Sequence, residues 1–181
     1  MNNILQCIRD NIGPEHCASP FCSKDKCKKD KCDVYLNGTL SPRLIVDPES
    51  ESLASKFPNY FSDNKRKCDF ILFFENSDGT VVIAPLELKH GRAEANIAAK
   101  QLQAGASFAE HMIPKSCRPA CQPILFHSGN LHKLQRTELN KAKIHFRGAQ
   151  LTIRTAKCGQ PGNLANALPD EQVQRQGRRK R

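Results

Sequence analysis

The chain has 181 residues, enough for one core-bearing domain with a small appendage and too few for two ordinary domains. Its net charge of +10 and pI near 9.3 favour an anionic partner, because clustered Lys and Arg release counterions from a phosphate backbone. No run approaches the roughly 18 apolar residues of a membrane helix, and the start "MNNILQCIRDNIGPEH" lacks a basic segment followed by a long apolar one. The expectation is a cytoplasmic protein with no membrane association.

Residues 1–40 are rich in Cys and Lys, with "HCASPFCSKDKCKKDKC" at their centre, and read as a cysteine-rich appendage. Cys17, Cys22, Cys27 and Cys32 recur at intervals of five. Without a secretory leader a disulfide framework is a poor expectation. Four thiolates suit a tetrahedral zinc ion or an iron–sulfur cluster, with His16 and Cys7 as spare ligands. The interspersed Lys24, Lys26, Lys28, Lys29 and Lys31 would offset thiolate charge and contact nucleic-acid phosphates.

Residues 41–168 read as the core. "ESLASKF" predicts a short helix before Pro58, and "CDFILFFE" with "TVVIAPLELK" predicts a hairpin turned at "NSDG". The stretch "RAEANIAAKQLQAGASFAEHM" carries Ala95, Ala98, Leu102, Ala106, Ala109 and Met112 at helical spacing, stopped by Pro114. "QPILFHSG" predicts a further strand, and "AKIHFRGAQLTIRTAK" two strands around Arg147-Gly148. Strands alternating with a long helix fit an α/β or α+β layered fold, of which α/β is the expectation. Residues 169–181 lose periodicity and end on Arg178, Arg179, Lys180 and Arg181, an unstructured basic tail and a second set of phosphate contacts.

The hairpin carries the chemistry. Its first strand starts on Asp69 and its second ends on Glu87, Leu88 and Lys89. Residues two apart in a strand share a face, so Glu87 and Lys89 point the same way. A two-residue turn at Asp78-Gly79 would place Asp69 opposite Leu88. A three-residue turn, Ser77 to Gly79 with Gly79 in the left-handed region, pairs Asn76 with Thr80 and brings Asp69 opposite Glu87. Two carboxylates side by side repel, and burying them unpaired costs several kcal/mol. A divalent cation removes that penalty, and Mg2+ (or Mn2+) takes one or two carboxylates while keeping several waters.

An Asp followed by Glu-x-Lys at the end of a second strand, with a helix after it, resembles the PD-(D/E)xK nuclease superfamily. The resemblance implies a restriction-endonuclease-like core, a central mixed sheet flanked by helices. It implies that Asp69 and Glu87 ligand Mg2+ and that Lys89 serves the attacking water. RecB-type members carry Gln-x-x-x-Tyr on the following helix; Gln101 matches, and Gly105 stands in the tyrosine position. Members often add an acidic residue from the first core helix, for which Glu49 or Glu51 is the candidate. Some members hold an iron–sulfur cluster with cysteines on both sides of the core, and Cys117, Cys121 and Cys158 would supply the downstream part.

The resulting expectation is a metal-dependent nuclease acting on nucleic acid, DNA favoured. It would work alone, as a homodimer, or with a partner protein supplying specificity in a larger nucleic-acid-processing or defence system. The alternative is a non-catalytic zinc-containing module that binds nucleic acid or protein. Cys68 reads as a buried strand residue and His90 as a loop residue. His111, His127, His132 and His145 receive no role.

Overall fold

The computed structural model describes residues 4–13, 15, 26–29, 31–36, 43–62, 66–76, 78–91, 94–160 and 163–168, with backbone alone for Lys26, Cys27 and Asn163. The elements in chain order are α1 (Ile4–Ile12), β1 (Lys26–Lys29), β2 (Cys32–Tyr35), β3 (Arg43–Val46), α2 (Glu51–Lys56), α3 (Pro58–Phe61), β4 (Phe70–Glu75) and β5 (Val81–Lys89). They continue with α4 (Ala95–Met112), β6 (Ala120–Cys121), β7 (Ile124–His127), α5 (Lys133–Lys141), β8 (Lys143–Phe146), β9 (Ala149–Thr152), β10 (Arg154–Lys157) and α6 (Asn163–Ala167).

A mixed central sheet runs β10–β7–β5–β4–β3, with the short β6 also pairing β5. β3, β4 and β5 are antiparallel neighbours; β5, β7 and β10 are parallel. The connection from β5 to β7 passes through α4, as a parallel pair requires a crossover. β5 is buried from Val81 to Leu88, which explains why its sequence is almost continuously apolar. One sheet face, carrying Val46, Ile71, Phe73, Ile83 and Leu125, packs on Ala98, Leu102, Ala106 and Phe108 of α4. The other, carrying Leu72, Phe74, Leu86 and Phe126, packs on Val34 of β2 and on Leu164 of α6.

α4 ends at Met112, ahead of Pro114. Arg147, at φ 49° in the β8–β9 turn, donates through its guanidinium to the carbonyls of Ile113 (3.0 Å), Pro114 (2.9 Å) and Cys117. These bonds take up carbonyls where the helix has stopped. Gln103 of α4 imitates a strand neighbour, donating to His145 O at 3.0 Å and accepting the His145 N–H at 2.7 Å.

Within residues 1–40, two described segments pack into the core. α1 buries Leu5, Ile8 and Ile12 completely in the main core. A helix of nine residues is marginal by itself, so that burial, at about 1.5–3 kcal/mol for each large apolar side chain, is what holds it. Cys32, Val34 and Leu36 likewise belong to the core on the opposite sheet face. α1 and β2 therefore contribute side chains to the core on the two faces of the sheet. Residues 169–181, the expected basic tail, lie outside the described residues.

Gly105 lets α4 approach the sheet. A Cβ there would stand 2.5 Å from Cys68 Sγ and 3.1 Å from Pro85 Cβ, closer than a well-packed interior accepts. Gly105→Ala is expected to destabilise the protein by about 1–3 kcal/mol. Cys68→Ala in the same chain removes the nearest obstructing atom, and chemical denaturation should show the double variant recovering much of that loss.

Candidate functional site

The turn between β4 and β5 determines whether the two carboxylates meet. Asn76 N–H donates to Thr80 O at 2.9 Å, and Gly79, at φ 81°, donates to Asn76 O at 2.9 Å. Glu75 then pairs with Val81, and the ladder runs down to Phe70 opposite Leu86. This is the longer of the two turns considered, and glycine supplies the left-handed residue it needs. Asp69 follows directly at the end of the ladder, donating its N–H to Leu86 O at 3.0 Å and accepting the Leu88 N–H on Oδ2 at 2.6 Å.

Glu87 is fully buried and Asp69 is 3% exposed. Lys89 Nζ lies 2.6 Å from Glu87 Oε1. Among the described residues Glu87 Oε2 has no hydrogen-bond partner. Burial, reinforced by the neighbouring Asp69 charge, pushes the Glu87 carboxyl up to about 7 against the opposing pull of Lys89 and Lys29. Burial also raises Asp69, although the Lys29 ammonium and the Leu88 N–H both favour its charged form.

Lys29 enters this site from the tip of the β1–β2 hairpin. Its ammonium is hydrogen-bonded to Asp69 Oδ1 and lies 2.6 Å from Glu49 Oε1. Burial lowers the pKa of Lys29, but the hydrogen bonds to the two carboxylates outweigh it and the net shift is upward. Lys29, expected to contact phosphate, is instead the counter-ion of Asp69. Of the other lysines considered, Lys28 and Lys31 are exposed; Lys24 and the Lys26 side chain lie outside the described residues, as do Arg178, Arg179, Lys180 and Arg181.

Gln101 stands on α4, one turn before Gly105. Its amide donates to Lys67 O at 3.0 Å, and its Oε1 is buried without a partner among the described residues. It therefore holds the backbone that leads into Asp69. Cys68 Sγ donates to Phe70 O at 3.4 Å. Burial, then the charges of Glu87 and Asp69, raise its pKa well above the ordinary thiol value, so it remains a neutral packing group. His127 pairs with Lys89 in register and so shares its sheet face. It is 6% exposed, and its Nδ1 lies 2.7 Å from Gly129 O. Its place beside Lys89 depends on a parallel pairing that no local sequence signal indicates.

The cysteine expectation needs correction. Cys32 is disulfide-bonded to Cys158 across 126 residues, so its sulfur is not offered to a metal with the other three. Cys17, Cys22 and the Cys27 side chain lie outside the described residues. Cys121 pairs with Ile83, whereas Cys158 follows Lys157, the register partner of His127, beside Lys89. The six residue steps from Ile83 to Lys89 span roughly 20 Å of strand. "CRPAC" and Cys158 are thus separated along the sheet and do not form one ligand set. Among the described residues no group of three or more His, Cys, Asp or Glu side chains is placed to hold a metal. The donors at the strand ends are two carboxylates, one with an unpartnered buried oxygen. Hard oxygen donors in that number fit Mg2+ with its remaining positions filled by water.

Comparison with protein-family models, curated proteins and solved structures finds no match. No helix among the described residues is long and apolar enough to cross a membrane.

The raised Glu87 carboxyl has a pH signature. Between the ordinary value of 4.5 and about 7, the folded chain holds a proton that the unfolded chain has lost, so stability falls as pH rises through that window. In metal-free protein the effect is on the order of 3 kcal/mol. Thermal unfolding at pH 5 and pH 8 should show Glu87→Gln losing less stability than the wild type over this interval. Identical pH dependence in the two proteins would contradict the assignment.

Proposed function

We propose that the chain is a Mg2+-dependent nuclease with a restriction-endonuclease-like core, hydrolysing phosphodiester bonds with DNA as the favoured substrate. The observation that carries this reading is Glu87, buried beside Asp69 at the strand end with one carboxylate oxygen unpartnered and Lys89 two residues on. The net charge of +10 suits a polyanionic substrate. The cation-binding residues are Asp69 and Glu87. When bound, Mg2+ polarises the scissile phosphate and lowers the pKa of a coordinated water.

The chain's own groups do the rest. Asp69 is oriented by the Leu88 N–H, and Gln101 fixes the segment that delivers it. Lys89, with its side chain 28% exposed, reaches both the buried carboxylate and solvent. It orients the attacking water and stabilises negative charge developing on the phosphate. Specificity would come from a second copy or a partner protein, in a cytoplasmic setting.

A second reading, a non-catalytic nucleic-acid-binding protein, is favoured by one observation: each buried carboxylate already has an ammonium neighbour. Cleavage of circular and linear DNA in Mg2+ separates the two. Glu87→Ala should lower cleavage at least about 100-fold. Lys89→Ala should do the same while DNA affinity stays within a few-fold, because its interactions form preferentially in the transition state. Loss of binding and cleavage in equal proportion would make Lys89 a phosphate contact. Binding without Mg2+-dependent cleavage by the wild type would select the non-catalytic reading.

A further inference from the structure

Lys29 does something that the proposed reaction does not require. A lysine on a hairpin strand ordinarily keeps its ammonium in water, yet this one is hydrogen-bonded to Asp69, a proposed cation ligand, and bridges to Glu49. Its side chain is 31% exposed, against 2% for that of Asp69, so the pair is largely out of solvent, where it is little screened. The position is also held by two contacts from one neighbouring segment. Cys32, the register partner of Lys29 across the hairpin, is disulfide-bonded to Cys158, and Gly159 N–H donates to Asp33 O at 2.8 Å. The hairpin tip is thereby fixed at the sheet end where Glu87 and Lys89 lie.

We propose that Lys29 is an autoinhibitory plug: its ammonium occupies the cation position at Asp69, and a divalent ion must displace it for the site to become competent. This rests on the metal-dependent reading above. The chemistry is a competition for one carboxylate oxygen. A monovalent ammonium carried on the chain pays no association entropy, whereas a divalent ion brings twice the charge from solution. Removing the ammonium therefore strengthens cation binding, the opposite of what loss of a structural ion pair or a substrate contact would do. Glu49 also binds the ammonium, at 2.6 Å, so the displaced ammonium retains one carboxylate partner.

The probe is Mn2+, titrated calorimetrically into the full-length chain. Lys29→Met, which keeps most of the unbranched side chain and removes its charge, is expected to bind Mn2+ at least tenfold more tightly than the wild type. The gain should vanish when Glu87→Ala is added. In the wild type, amine acetylation followed by mass spectrometry should label Lys29 more slowly than the exposed Lys28, and saturating Mn2+ should accelerate Lys29 labelling several-fold. This second measurement requires no folded variant. Equal Mn2+ affinity in wild type and Lys29→Met, with binding still dependent on Glu87, would overturn the plug and leave the metal-dependent reading standing. No Glu87-dependent Mn2+ binding in either protein would overturn both.

Discussion

The structure depends on keeping charge balanced at one end of a buried sheet. Glu87 lies at the end of a strand buried on both faces, next to a second acid that is almost as inaccessible. Uncompensated, two such groups would cost more than most domains have to spare. Lys89 and Lys29 each bring an ammonium to one of them, and the Glu87 carboxyl still sits near neutrality. The compensation is incomplete, with one oxygen of Glu87 unpartnered among the described residues. A buried acid whose carboxyl is pushed this far from its ordinary value is a common mark of a functional site.

Several distant parts of the chain serve that balance. The Gly79 turn sets the register that brings Asp69 to the end of the ladder. α4 lies close over Cys68 because residue 105 has no side chain, and from there Gln101 reaches Lys67 O. β2 packs on the opposite face and its partner β1 carries Lys29, and the Cys32–Cys158 disulfide ties that hairpin beside β10. A change in any of these would move a charge relative to its partner without touching the carboxylates themselves.

Local signals made the hairpin and its charged end legible in the sequence. Apolar runs, an Asp-Gly turn signal and charged strand ends located β4 and β5, and the requirement that two acids share a face favoured the longer turn now seen at Asn76 and Thr80. The alanine pattern gave α4 nearly to its limits, and Arg147-Gly148 marked the β8–β9 turn. The N-terminal region misled because its cysteine and lysine content obscured Leu5, Ile8 and Ile12, which follow helical spacing and are buried in α1. Pairings between distant segments left no local trace. Cys32 with Cys158, Lys29 with Asp69, and His127 beside Lys89 each join elements whose proximity is set by the sheet order. Five-residue cysteine spacing suggested a metal, whereas the partner of Cys32 lies in a segment remote in sequence.

The central claim is that Glu87 is a buried acid held near neutrality until a divalent ion arrives. Its carboxyl carbon can be followed by nuclear magnetic resonance across a pH titration, with and without Mg2+. The account expects a metal-free midpoint of about 7 that moves downward when Mg2+ is added, as the cation stabilises the ionised form. A metal-free midpoint near the ordinary 4.5, or one near 7 that Mg2+ leaves unmoved, would contradict it.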